Sequence, residues 1–119
     1  MADGTQKRIL IIDDNLGLAE NIAEILGMYG YQTEVAGSAE EALSKFGPPP
    51  PDVVVTDYRL PGIDGASLVR QLGGMGIRVS AIVISAFTDD GTIEDARRSG
   101  AFFLPKPLDF EALERLVQA

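Results

Sequence analysis

Residues Ile9-Leu10-Ile11-Ile12-Asp13-Asp14 form an unbroken aliphatic run that ends on two consecutive carboxylates. Four aliphatic residues with no polar alternation leave no face for solvent, so the run suits a strand covered on both sides, as in a parallel sheet. The pattern recurs. Val53-Val54-Val55-Thr56 runs into Asp57, the segment Ser80 to Ser85 is apolar between its two serines, and Phe102-Phe103-Leu104 is followed closely by Lys106. Gln32 to Ala36 reads as a further short strand.

Between these runs the apolar spacing changes to that of helices. After Asn15, an N-cap residue, apolar side chains fall at 18, 19, 22, 25, 26 and 29, and Gly30 closes the helix in a left-handed cap. Ser38-Ala39-Glu40-Glu41 has the form of a capping box and opens a helix expected to reach Phe46, where Gly47 and Pro48 to Pro51 stop it. The four prolines read as a stiff connector in preference to an SH3-type ligand. Pro61 to Gly65 reads as a turn-rich loop before a helix carrying Leu68, Val69 and Leu72. Gly73-Gly74-Met75-Gly76 follows that helix and lacks Gly-Lys-Ser/Thr, so it is expected to be an ordinary loop and not a phosphate cradle. Ile93 to Ser99 lies in a short helix ended by Gly100, and Asp109 caps a last helix with Phe110, Leu113, Leu116 and Val117 on one face. Regular βα alternation with short connections predicts one α/β domain, a doubly wound five-stranded parallel sheet with helices on both faces.

Composition narrows the chemistry. The 119 residues include no cysteine and no histidine, and 10 basic against 18 acidic residues give a net charge of −8. Disulfides, thiolate nucleophiles, Ser-His-Asp arrangements and His- or Cys-based metal sites are all excluded. An acidic chain is a poor direct partner for nucleic acid or an anionic membrane. No apolar run approaches the roughly 20 residues of a membrane span, and residues 1–7 are a polar extension without a signal-peptide core, so the chain is expected to be cytoplasmic.

In a doubly wound sheet ligands bind at the carboxyl ends of the strands. Those ends are predicted to carry Asp13 and Asp14, Asp57, Ser85 and Lys106. Carboxylates about 5 Å apart repel by roughly 3 kcal/mol per pair at an effective dielectric near 20, so the group needs a proton, a lysine or a metal. An all-oxygen donor set favours a hard cation, Mg²⁺ before Ca²⁺. A carboxylate can attack phosphorus to give an acyl phosphate, with Lys106 and the Ser85 hydroxyl holding the phosphoryl oxygens. No nucleotide-binding loop is present, which argues against bound ATP as the donor.

Four segments in order carry a specific resemblance: Ile-Leu-Ile-Ile-Asp13-Asp14, Val-Val-Val-Thr-Asp57-Tyr-Arg-Leu-Pro61-Gly-Ile-Asp-Gly65, Ile-Val-Ile-Ser85-Ala86 and Phe103-Leu-Pro-Lys106-Pro107. From Arg8 to Val117 the chain resembles the receiver domain of two-component response regulators. The resemblance implies a flavodoxin-like sheet of strand order 2-1-3-4-5, an order that belongs to the family and does not follow from the spacing. It implies that Asp57 is the phosphoacceptor, supplied by a phosphohistidine on a sensor histidine kinase or phosphotransfer protein. Asp14 is then a direct Mg²⁺ ligand, Asp13 acts mainly through water, and Asp57 and the Arg59 backbone carbonyl complete the protein's share. Lys106 contacts the phosphate, aimed by a cis Lys106–Pro107 bond. Ser85 and Phe103 stand at the two switch positions, Ser for the commoner Thr and Phe for the frequent Tyr, and a homodimer through the face of helix four, strand five and helix five is a possible assembly. Arg59 and Phe87 stand where the family tunes phosphate loss, and the bulk of Phe87 predicts a long-lived phosphoryl state. Arg97 and Arg98 on helix four read as a solvated face before a partner surface.

The resulting expectation is a phosphorylation-controlled signalling switch that modifies itself and has no separate turnover substrate. Two rivals stay open: a degenerate receiver working by dimerisation alone, and a Mg²⁺-dependent aspartyl phosphatase, which usually has a second Asp where Arg59 stands. The last helix reaches Ala119 without a cap, which hints that the natural chain continues past it and leaves an output domain there open.

Overall fold

Five strands and five helices alternate along the chain in a computed structural model that describes residues 7–47 and 49–119. The polar N-terminal extension up to residue 6 and Pro48 of the proline run lie outside the described residues. The elements are β1 (Arg8–Ile12), α1 (Leu16–Met28), β2 (Gln32–Ala36), α2 (Ala39–Ser44), β3 (Val53–Asp57), α3 (Gly65–Gly74), β4 (Ser80–Ser85), α4 (Asp90–Arg98), β5 (Phe102–Pro105) and α5 (Phe110–Gln118). All strand pairs are parallel and the order is β2-β1-β3-β4-β5, the expected doubly wound sheet.

Successive strand residues point to opposite faces, so each aliphatic run feeds two cores. Ile9, Ile11, Val53, Val55, Ile82 and Ile84 pack under α1 and α5 against Ile22, Leu26, Leu113 and Val117. Leu10, Ile12 and Val54 face the other way, toward Ala42 of α2 and Leu68 and Leu72 of α3. A smaller cluster of Val69, Ala81, Val83, Ala96 and Ala101 lies between α3, α4 and the β4–β5 side of the sheet. The chain steps from β1 outward to β2, then returns past β1 to β3. The carboxyl ends of β1 and β3 therefore flank the crevice where a ligand binds in this topology.

Several boundaries differ from expectation, each for a local reason. Helix α2 stops at Ser44, with Phe46 buried just beyond it in the α2–α3 core. Ser38 Oγ accepts from the Glu41 N–H at 3.1 Å, but Glu41 reaches back one residue further than a regular capping box, accepting from the Gly37 N–H at 2.9 Å. Gly73 and Gly74 are not loop: α3 continues through them and ends where Gly76 adopts φ +76. Asp64, inside the stretch read as loop, caps α3 by accepting from the Ser67 N–H at 2.7 Å. Helix α4 begins at Asp90, where Asp89 caps it by accepting from the Thr92 N–H at 3.0 Å, and ends at Arg98 with Ser99 as its C-cap. Pro49 to Pro51 form a connector in which the Pro49 and Pro50 carbonyls accept from the Arg8 guanidinium at 2.9 and 3.2 Å. No described helix is long and apolar enough to cross a membrane.

Candidate functional site

The carboxyl ends of β1, β3 and β5 bring four charged side chains together. β1 ends in buried Ile11 and Ile12, and the chain leaves the sheet at Asp13, whose N–H still donates to the Ala36 carbonyl at 3.1 Å. That bond holds the Asp13 side chain in the crevice, 1% exposed, while Asp14 is exposed beside it. Asp57 is the last residue of β3 and is 8% exposed. Oxygens of Asp13, Asp14 and Asp57 all lie within 4.8 Å of one another. Lys106, following β5, places its Nζ 3.1 Å from Asp57 Oδ1 and 3.6 Å from Asp13 Oδ2. Its backbone N–H donates to the Ser85 carbonyl at 2.8 Å, and the Lys106–Pro107 bond is cis as expected.

Three carboxylates against one ammonium leave a formal excess of two negative charges in a crevice where Asp13 and Asp57 are buried and Asp14 is exposed. Asp13 shows the consequence. Burial pushes its pKa up, with Asp57 and Asp14 adding to the rise, while the Asn15 N–H and Lys106 oppose it. One oxygen, Oδ1, accepts from the Asn15 N–H at 2.9 Å. The other, Oδ2, is buried without a hydrogen-bond partner, the lysine being at ion-pair and not hydrogen-bond distance. A buried, unpartnered carboxylate oxygen beside two further carboxylates and no nitrogen or sulfur ligand fits a hard divalent cation.

The surrounding loops complete the crevice. Ser85 ends β4, 1% exposed, and its Oγ accepts from the Phe87 N–H at 2.9 Å. Phe87 is 48% exposed, and the Arg59 guanidinium stacks over its ring at 4.3 Å from the centroid. Phe103 is partly buried with Tyr58 against the small cluster beneath α4. Tyr58, next to Asp57, donates its hydroxyl to Asp95 of α4 at 2.7 Å, and that bond, with burial second, pushes its pKa up to about 12. Arg98 pairs within α4 with Glu94 at 2.9 Å.

Three features of the site escaped the sequence reading. The Arg59–Phe87 stack and the Tyr58–Asp95 bond join residues too far apart for any local pattern to signal. Gly65 was legible only as part of a motif. A Cβ there would stand 2.5 Å from the Asp57 carbonyl oxygen, so only glycine lets α3 start this close to β3.

A doubly wound sheet whose switch-point crevice holds three carboxylates and a lysine defines an α/β protein with an acidic cluster that could hold a metal ion at its ligand-binding edge. The chain belongs to the response regulator receiver domain family, whose profile matches residues 9–118. It is thus a receiver domain of the two-component type, consistent with phosphorylation-controlled switching. It is 41% identical over 86% of its length to a response regulator receiver protein of Anaeromyxobacter, of which it spans 43%. A Francisella response regulator receiver domain superposes with a TM-score of 0.87 at 29% identity, covering 95% of this chain and 94% of that one. A Burkholderia pseudomallei response regulator carrying a phosphorylated aspartic acid and a calcium ion superposes with a TM-score of 0.85 at 28% identity, covering 96% of this chain and 68% of that one.

Proposed function

We propose that this receiver domain is a switch in which Asp57 takes a phosphoryl group from a phosphohistidine on a sensor histidine kinase or phosphotransfer protein. The observation that carries the reading is the position of Lys106, 3.1 Å from Asp57 beside the unpartnered Asp13 Oδ2. An Asp57 carboxylate oxygen attacks phosphorus, the N–P bond of the phosphohistidine breaks, and an acyl phosphate forms on Asp57. The imidazole leaves with the bonding pair and takes up a proton. Asp14 and Asp57, with Asp13 through water and the Arg59 backbone carbonyl, would hold Mg²⁺. When bound, that ion neutralises charge on the phosphoryl oxygens. Lys106 exchanges its contact with the Asp57 carboxylate for one with the phosphoryl group. Ser85 already accepts from Phe87, which leaves its own O–H proton free to donate to a phosphoryl oxygen. Phe103 then turns further into the cluster it borders, remodelling the face of α4, β5 and α5 that a partner or a second copy would use. The Burkholderia relative's phosphorylated aspartate and hard divalent cation support the same chemistry here.

The experiment is to incubate the protein with a small phosphodonor and Mg²⁺ and weigh it intact. One added phosphoryl group, lost in Asp57→Asn and with EDTA, is the expected result. Steady turnover of phosphate esters without an adduct would instead indicate an aspartyl phosphatase. No adduct at all would leave a receiver that acts by dimerisation alone.

A further inference from the structure

Helix α4 is attached to the molecule in an unusual way. Its sequence, Asp90-Gly91-Thr92-Ile93-Glu94-Asp95-Ala96-Arg97-Arg98, carries only two apolar side chains, Ile93 and Ala96, and Ala96 alone is fully buried. Asp95 supplies a polar attachment instead. Its Oδ2 accepts from the Tyr58 hydroxyl at 2.7 Å and its Oδ1 from Arg70 Nη1 at 3.0 Å, so one carboxylate ties α4 both to the residue that follows β3 and to α3. Arg70 is steadied within α3 by the Ser67 hydroxyl at 3.4 Å. The backbone of Tyr58 is held to the sheet and to α3, its N–H donating to the Ile84 carbonyl at 2.8 Å and its carbonyl accepting from the Gly65 N–H at 2.7 Å.

The same residues stand on the route out of the acidic crevice. Tyr58 shares a peptide bond with Asp57, and its ring packs with Phe103 on the cluster that includes Ala96. On the other side, Ser85 Oγ holds the Phe87 N–H at 2.9 Å, and two residues beyond Phe87 the chain reaches Asp89, the N-cap of α4. A displacement of the Ser85 hydroxyl therefore pulls on the loop that enters α4, while Tyr58, its backbone held, resists through Asp95.

We propose that Tyr58, Asp95 and Arg70 form a latch that holds α4 in its resting position, and that phosphorylation reaches α4 by opening it. The coupling rests on Asp57 being the phosphoacceptor; the latch itself does not. Amide hydrogen exchange of the full chain tests both. Without phosphodonor, Tyr58→Phe should speed exchange across residues 90–98 about tenfold, the scale of one hydrogen bond to a charged group, with α1 unchanged. Arg70→Ala, at an exposed position, should move α4 the same way by less. The wild-type protein with phosphodonor and Mg²⁺ should approach the level of resting Tyr58→Phe. Exchange of α4 within about twofold of wild type in both variants overturns the latch, as does equal acceleration in α1, which would mean general loosening. Intact mass is read on the same samples. An adduct with unchanged α4 exchange overturns the coupling alone, whereas no adduct overturns the reading of Asp57 and the coupling with it, while the resting comparison still decides the latch.

Discussion

Helices α1 and α4 lie against the same sheet and are held to it by different forces. Helix α1 buries Ala19, Ile22 and Leu26 completely in the core it shares with α5. Full burial of Ile or Leu contributes about 1.5–3 kcal/mol each, independent of pH and nearly independent of direction. Helix α4 buries one alanine and depends on Asp89 at its start and Asp95 at its middle, both carboxylates with directional bonds. An apolar face stays put when a charge changes nearby. A helix held by a few carboxylate bonds can be released by one, and the helix beside the acidic crevice is of the second kind.

The largest expected effect lies on the α1 side. Leu26→Ala should lower global stability by about 2–5 kcal/mol in denaturant unfolding, and a loss below 1 kcal/mol would show that α1 is not anchored as described. Acid should separate the two helices next. The Thr92 N–H and hydroxyl hold the Asp89 pKa below its ordinary value of 3.8, and the Tyr58 hydroxyl, ahead of Arg70, does the same for Asp95. A carboxylate with a depressed folded-state pKa stabilises at pH above its unfolded value, and that contribution disappears as pH falls through the folded value. Below about pH 4 the α4 amides should therefore lose exchange protection while α1, capped by the non-titrating Asn15 amide, keeps its own. Equal loss in both helices would break the comparison.

Smaller effects sharpen it. Asn15→Ala should cost about 1 kcal/mol of global stability, since α1 unfolds with the core. Asp89→Ala should instead appear mainly as faster exchange within residues 90–98, with little movement of the unfolding midpoint. The smallest change concerns the loop between the crevice and α4. Phe87→Ala removes the ring under Arg59, an exposed contact of about 0.5–1 kcal/mol, and should speed loss of the phosphoryl group about two- to fivefold. Loss from the wild-type protein within seconds at neutral pH would contradict the shielding assigned to Phe87.

Much of this molecule was legible in one dimension. Aliphatic runs as long as Ile9–Ile12 and Val53–Val55 have only one economical environment, a sheet covered on both faces, and the residues ending them must then share a rim. That is why Asp13, Asp14, Asp57 and Lys106 were identifiable before their distances were known. Helix starts were less legible. Asp64 and Asp89 each look like ordinary loop carboxylates until the N–H groups they accept from are in place, and Gly73 and Gly74 continue a helix that their propensity argues against because α3 is already anchored by Leu68, Val69 and Leu72.

By itself, then, the amino-acid order determined the parallel sheet, the acidic rim and the absence of any nucleophile but oxygen or lysine, because burial periodicity and side-chain chemistry are local properties. Only the tertiary structure decided that Asp13 keeps an unpartnered oxygen beside Lys106, that Gly65 must leave room for the Asp57 carbonyl, and that Tyr58 reaches Asp95. Those depend on ångström-scale approaches between different elements, separated by eight residues for Gly65 and Asp57 and by tens of residues for the other two, which packing of the whole chain sets and no local pattern encodes.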